Sequence, residues 1–322
     1  MNQAFSSEVD AVDALSTSYQ EIRSEIGKVI IGQDDVVKSV LISIFSNGHC
    51  LLVGVPGLAK TLLVQTVARV LDLTYNRIQF TPDLMPSDII GSEIFGEDRS
   101  FKFIHGPIFS NIILADEINR TPPKTQAALL EAMQEKIVTV GGHAHPLPRP
   151  FFVLATQNPI EQEGTYPLPE AQLDRFMFNV SLTYPSFEEE LQVVRNTTSN
   201  VTVDLKKVLN SEQIIYFQQL IRNIPIADNV LEYAVSLAAR SRPNTSGATA
   251  EVNKFLSWGA GPRASQFLVL GAKCHAAISG KYSPDREDVQ AVAEAILRHR
   301  IVRNYKAEAE GISTEKIIAN LL

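Results

Sequence analysis

The sequence predicts an α/β domain, a mostly parallel sheet between helical layers, followed by a smaller all-helical domain. Three observations predict it. Apolar-rich runs at residues 49–53, 75–80, 111–115, 151–155 and 176–182 alternate with helical patterns and are apolar in succession, as strands covered on both faces are. A glycine-containing loop, residues 54–61, joins the first run to a helical pattern over 62–70. Beyond Pro185 only helical periodicity remains.

The chain has 322 residues, 45% of them hydrophobic and 20% charged. At roughly 150 residues per domain this allows two domains with full cores and is too apolar for extended disorder. A formal net charge of −7 argues against a general coat for nucleic acid or an anionic-membrane binder, while leaving room for a local basic pore or groove. Cys50 and Cys274 stand far apart without a CxxC spacing, so they read as core thiols in a reducing compartment. The start of the chain, with Glu8, Asp10 and Asp13, does not resemble a signal peptide, and no apolar stretch approaches a membrane span; the expected location is the cytoplasm.

In chain order, the run at 49–53 feeds the loop and its helix, and the run at 75–80 is the second strand. The third, 111–115, ends in two acids. Thr121, Pro122 and Pro123 then offer a cap and first-turn prolines for a helix whose stripe is Ala127, Leu130 and Met133. Residues 134–150, turning at Gly141 and Gly142, predict a hairpin before the fourth strand. Ser186 and Glu189 form a capping-box pattern that opens the helical region, with helices near 188–195, 211–221, 229–240, 262–279 and 286–300 and a loop at 242–250. The domain boundary falls at 183–187, dividing the chain into 1–185 and 186–322.

The strongest chemical signal is Gly54-Val55-Pro56-Gly57-Leu58-Ala59-Lys60-Thr61 between strand and helix. Backbone N–H groups and a helix N-terminus there can cradle phosphates, Lys60 can reach the β and γ oxygens, and Thr61 can ligate Mg²⁺. Ala59 stands where the general pattern has Gly. The second signal is Ile112-Ile113-Leu114-Ala115-Asp116-Glu117, where Asp116 can serve the Mg²⁺ shell and Glu117 can polarise an attacking water. The third is Ala155-Thr156-Gln157-Asn158-Pro159, in which Asn158 is either a γ-phosphate or water contact or the start of an Asn-Pro turn.

These motifs occur in the order of Walker A, Walker B and sensor 1 of AAA+ ATPases, and their wording resembles the MoxR branch. Phe80-Thr81-Pro82-Asp83-Leu84-Met85-Pro86-Ser87-Asp88, Asp116-Glu117-Ile118-Asn119-Arg120, Pro169-Glu170-Ala171-Gln172-Leu173-Asp174-Arg175-Phe176 and Pro262-Arg263-Ala264 continue the resemblance over residues 30–300. It implies a P-loop AAA+ three-layer core with a helical lid, using ATP and Mg²⁺. Within this branch Ala59 is ordinary. Arg175 matches the arginine finger serving a neighbouring subunit, and Arg263 matches sensor 2, acting within its own subunit. Ile30-Ile31-Gly32-Gln33 matches the segment bordering adenine, so Ile31 and Gly32 join residues 54–61 and Leu62 as nucleotide contacts. Residues 81–105 match the helix-2 insert and 134–150 the hairpin before sensor 1. The implied function is ATP hydrolysis by a homo-oligomeric ring, expected as a hexamer, that remodels or matures a protein client. A von Willebrand factor A partner and metal or cofactor insertion often accompany it. An ATP-binding switch or scaffold and a nucleic-acid motor are the competing readings; the acidic balance disfavours nucleic acid.

Three further groups carry less. His143 and His145 share one side of a strand but lack further ligands for a metal site. Arg298, His299, Arg300 and Arg303 read as a solvated or inter-subunit helix end, and Cys50 as a small buried hydrophobe.

Overall fold

Strands that are apolar on both faces require cover on both. The computed structural model, which describes residues 7–96, 99–160, 164–199 and 203–322, provides it. Helices α1 (Glu8–Gly27) and α2 (Asp34–Phe45) precede β1 (Cys50–Val53), α3 (Lys60–Val70) and β2 (Tyr75–Gln79). A short α4 (Pro86–Ile90) leads into a hairpin, β3 (Gly91–Phe95) and β4 (Phe101–His105). Then come β5 (Ile112–Asp116), α5 (Pro123–Glu135), a second hairpin of β6 (Ile137–Val140) and β7 (His143–Pro146), β8 (Phe152–Gln157), α6 (Glu170–Leu173) and β9 (Phe178–Ser181). The remainder is α7 (Phe187–Thr197), α8 (Ser211–Asn223), α9 (Asp228–Arg240), α10 (Ala250–Phe255), β10 (Leu256–Trp258), α11 (Pro262–Ile278), α12 (Arg286–Leu297), β11 (Val302–Arg303), α13 (Tyr305–Ala309) and α14 (Thr314–Leu321).

The five long-range strands form one parallel sheet in the order β2-β5-β8-β1-β9. Alternation along each strand sends Cys50, Leu52, Ile112, Leu114 and Leu154 to one face and Leu51, Ile113, Ala115, Val153 and Ala155 to the other. Each large aliphatic residue so buried contributes about 1.5–3 kcal/mol. The first face packs on α1, α2 and α3 and its core runs on unbroken into the helices after Pro185; the second packs on Leu129, Leu130 and Met133 of α5.

Several expectations need correcting. Residues 75–80 do not form a strand buried on both sides: β2 is the sheet edge and only Ile78 of its five residues is buried. In α5 Pro122 takes the N-cap position, not Thr121, and the buried stripe is Thr125, Gln126, Leu129, Leu130 and Met133. Ala127 faces outward, because burying the leucines and Met133 removes far more apolar area from water. The helical region also contains a short antiparallel pair, β10 with β11.

The cluster near residue 300 is not a solvated helix end. The Arg300 side chain is 2% exposed and pairs with Asp174 Oδ1 at 2.7 Å. Its guanidinium also donates to the carbonyls of Asp174 and Phe176. Burial lowers Arg300 to about 10, with Asp174 acting the other way. His299 is buried against the Phe176 carbonyl and held far below its usual range by desolvation, hence neutral. Cys50 is fully buried, and burial raises its thiol.

The turn of the β6–β7 hairpin uses Gly141 and Gly142 at φ 58° and 82°, the left-handed pair that a two-residue hairpin loop requires. His145 on β7 stacks on Phe103 of β4 with ring centroids 3.9 Å apart, so the two hairpins lean on one another. That stack, not a ligand set, occupies His145. Glu97 and Asp98 of the 81–105 segment, and Met1 to Ser6 at the start, lie outside the described residues. Among the described residues no helix is long and apolar enough to cross a membrane.

Candidate active site

In an open parallel sheet the strands' carboxyl ends share one crevice where the strand order reverses. Here β1 lies between β8 and β9, and β8 joins it to β5, which brings Val53, Gln157 and Asp116 to one rim. The loop after β1 begins beside Asn158, since the Gly54 N–H donates to the Gln157 carbonyl at 3.1 Å. Gly57 and Ala59 both take left-handed backbone, at φ 88° and 53°. That conformation explains why glycine is usual at the position of Ala59, where a methyl costs about 1–2 kcal/mol. Among the described residues no hydrogen bond is made by the N–H groups of Gly57, Leu58, Ala59, Thr61 or Leu62. With the dipole of α3 behind them, they form a cradle suited to phosphate. Lys60 Nζ, at the start of α3, donates to the Gly54 carbonyl. The Thr61 hydroxyl and Asp116 carboxylate are a hard oxygen pair, which fits Mg²⁺. Val55 and Leu58 support the loop from the apolar side, whereas Pro56 and Leu62 are exposed.

The two acids have separate partners. Asp116 Oδ1 accepts from Thr156 Oγ1 at 2.6 Å, and Oδ2 accepts from Arg77 Nε and Nη2 at 3.0 and 2.6 Å. Glu117 sits in left-handed backbone at φ 57°, its N–H bonded to Thr156 Oγ1 at 2.9 Å. Its Oε2 accepts from Gln79 Nε2 at 2.7 Å and from Arg120 Nη1 at 2.9 Å. A bulky residue held at positive φ stores strain of order 1–3 kcal/mol, which the Thr156 bond helps hold in place. Arg120 and Thr156 stand in the motifs without a role there, and Arg77 and Gln79 lie outside them. Their signal was Arg77 and Gln79 two apart in a run otherwise taken as buried, which puts both on one side of an edge strand beside the acids.

Asn158 is 7% exposed, and its Oδ1 accepts the Ile160 N–H at 3.1 Å. The Asn-Pro turn therefore forms, and the side-chain NH₂ remains as the donor. Both readings of this residue are compatible.

Gly32, at φ 70°, packs against the α7 capping box, in which the Ser186 N–H donates to Glu189 Oε2 at 2.7 Å. A Cβ on Gly32 would meet the Glu189 carboxyl carbon at 2.5 Å. The adjoining Gln33 donates through Nε2 to the Leu58 carbonyl at 3.1 Å, tying this segment and Ile31 to the phosphate loop. Gly32→Ala is expected to lower stability by about 1–2 kcal/mol through the left-handed strain and to weaken nucleotide binding. A thermal melt and a nucleotide titration check this, and an unchanged pair of values would rule it out.

Arg175 and Arg263 are not brought to the phosphate loop. Because β9 runs parallel to β1 with Phe178 opposite Cys50, Arg175 lies at the strands' amino ends, while the loop follows their carboxyl ends. Arg263, in the first turn of α11, lies 3.6 Å from Asp174 Oδ2, on this same side. The expectation that Arg263 serves its own subunit does not match that position; Asp174, clamped by buried Arg300, draws it toward Arg175 instead. The Arg175 side chain makes no hydrogen bond or ion pair among the described residues, since Asp174 is taken by Arg263 and Arg300.

Comparisons with known proteins bear on the family and the fold. Residues 49–178 match the family described as ATPase family associated with various cellular activities (AAA), and residues 248–321 match the AAA lid domain. The chain is 44% identical over 300 residues to Chaperone MoxR1 of Mycobacterium tuberculosis, covering 92% of this chain and 79% of that one. It is 30% identical to Protein MoxR of Methylorubrum extorquens, covering 90% of each. A crystal structure of a Cytophaga hutchinsonii protein, an inferred ATPase, superposes with a TM-score of 0.91 at 44% identity, over 97% of this chain and 95% of that one. With the phosphate loop, the paired acids and the helical region in their expected order, the chain belongs to the MoxR family of AAA+ ATPases.

Proposed function

We propose that the chain hydrolyses ATP at interfaces between copies of itself in a ring, expected as a hexamer, and uses the turnover to remodel or mature a protein client. The observation that carries this reading is the separation of the site into two halves. Phosphate-loop N–H groups, Lys60, Asp116, Glu117 and Asn158 meet at one end of the strands, and Arg175 with Arg263 sits at the other. One copy thus offers a cradle with Lys60 but without the two arginines, and two arginines without a cradle, and a neighbour in a ring supplies the missing half.

In this reading Lys60 and the loop N–H groups bind the β and γ oxygens. Thr61 and Asp116 would hold Mg²⁺, which would supply fixed positive charge at those oxygens. Glu117 takes the proton of the attacking water as Gln79 and Arg120 hold its carboxylate in place, and the Asn158 NH₂ orients the water or the γ-phosphate. Arg175 and Arg263 of the neighbour stabilise the charge that develops on the transferred group. Ile31 and Gly32 border the adenine. The client is met through the hairpins and through a partner, for which a von Willebrand factor A protein is proposed.

The client reading is tested by capture with ATP on the Glu117→Gln variant, co-retained proteins being identified by mass. Client proteins or a von Willebrand-type partner retained with ATP and lost with ADP are the expected result. Recovery of nucleic acid alone overturns the client reading.

A further inference from the structure

At the amino ends of the strands, beside α8, three cations converge on one cavity. It has a volume of about 210 Å³ and is lined by Lys136, Arg149 and Asn47 from the α/β part and by Gln218, Gln219 and Arg222 from α8. Among the described residues no carboxylate lines it. Elsewhere in this acidic chain comparable arginines are paired, Arg77 with Asp116 and Arg300 with Asp174. Among the described residues Lys136, Arg149 and Arg222 have no ion-pair partner.

Lys136 is the most telling of the three. It ends α5 in left-handed backbone at φ 59°, and its carbonyl accepts the Leu147 N–H at 3.0 Å, which fixes the residue against the cavity. Its Nζ lies 2.8 Å from His49 Nε2 and 5.4 Å from the Phe151 ring centroid. His49 Nδ1 accepts the Val153 N–H at 3.0 Å, so Nε2 carries the proton, which faces the Met133 carbonyl at 3.1 Å. The lysine ammonium thus meets a donor on that side and an aromatic face on another, and no anion among the described residues. His49 itself is fully buried and held neutral by desolvation. Burial, with the Arg149 charge added to it, lowers Lys136 to about 8. A cation in that position gains its missing partner when an anion enters.

We propose that this cavity is a second anion site, distinct from the phosphate loop, that takes a small, multiply charged phosphate oxyanion held by Lys136, Arg149 and Arg222. Such a ligand would bridge the α/β part to α8. The donors suit it: an ammonium and two guanidiniums for the charge, with the Gln219 and Asn47 amides at the rim, whereas the Gln218 amide already donates to the Ile44 carbonyl at 2.7 Å. A volume of about 210 Å³ accommodates a free anion of phosphate or pyrophosphate size.

Competitive acetylation of the full chain with acetic anhydride, read peptide by peptide by mass, reports on Lys136 alone. Without ligand Lys136 should label with a midpoint near pH 8. Pyrophosphate or inorganic phosphate, added separately to distinguish the two, should raise that midpoint by about one to three pH units, because a nearby negative charge favours the ammonium. At pH 8 this is about fivefold or greater protection. Protection should survive in Lys60→Ala, where the phosphate loop is impaired, and be lost in Arg222→Gln and Arg149→Gln, with unchanged melts showing that each variant folds. No protection by either anion, or protection lost with Lys60, overturns the proposal. Protection by a single-stranded oligonucleotide but by neither small anion overturns it in favour of nucleic acid.

Discussion

Removing the Arg175 guanidinium is expected to lower ATP turnover by about 10³ to 10⁵, the range found where an arginine is supplied to a phosphoryl-transfer site. The Arg175→Ala protein should fold and melt as the parent does, since among the described residues the side chain holds nothing in its own chain. This separates it from Arg300: that guanidinium is buried and bonded to four carbonyls and a carboxylate, so its loss acts on folding. The decisive measurement is a mixture. Arg175→Ala retains an intact phosphate loop, Lys60→Ala retains an intact Arg175, and mixed assemblies contain interfaces with both halves whole. Turnover in the mixture should rise well above the sum of the two separate variants. If Arg175→Ala hydrolyses ATP normally across the concentrations at which the protein assembles, the assignment to a neighbour's site fails.

Glu117→Gln is expected to retain nucleotide and lose about 10² to 10⁴ of the hydrolysis rate, the contribution of a positioned general base. The geometry makes the separation clean. The backbone of Glu117 is held through its N–H on Thr156, which glutamine preserves, and the glutamine carbonyl can still accept from Gln79 or Arg120. What disappears is the ability to take a proton. Equilibrium titration with a fluorescent ATP analogue should give an affinity within a few-fold of the parent, while single-turnover hydrolysis falls. Hydrolysis reduced less than tenfold would move the base elsewhere, and Asp116, with both oxygens already engaged by Thr156 and Arg77, is poorly arranged to replace it.

Much of this architecture could be read directly from the chain. Runs such as 111–115 and 151–155, apolar at every position, have no stable place except the middle of a doubly covered sheet, and β5 and β8 are there. Gly141-Gly142 marked a hairpin because that tight turn demands left-handed backbone, and Ser186 with Glu189 marked a helix start because the two satisfy each other's N–H groups. Residues 75–80 were misread for a physical reason: edge and centre strands differ in how many neighbours cover them, which is a property of the whole sheet. The α5 stripe was misjudged by helical spacing alone, since several stripes satisfy the period and the sheet chooses the one with most area to bury.

The cations show the limit most sharply. Arg175, Arg263 and Arg300 are chemically alike in sequence, and local pattern assigns each a solvated or catalytic place with equal ease. Packing alone distinguishes them: Arg300 is buried against the carbonyls of Asp174, Phe176 and Met177 and claims the Asp174 carboxylate, Asp174 draws Arg263 to its side, and among the described residues Arg175 is left without a partner. The same holds for Lys136, whose unusual setting depends on His49, Arg149 and Arg222, residues up to 87 positions away for the nearest contact. By itself the sequence determined the five strands of the parallel sheet, the phosphate loop, the paired acids and the family, because those depend on short-range periodicity and on residues adjacent along the chain. Which cation is paired, which is buried and which is left unpaired among the described residues was decided only by the tertiary structure, because charge interactions fall off with distance through space and take no account of separation along the chain.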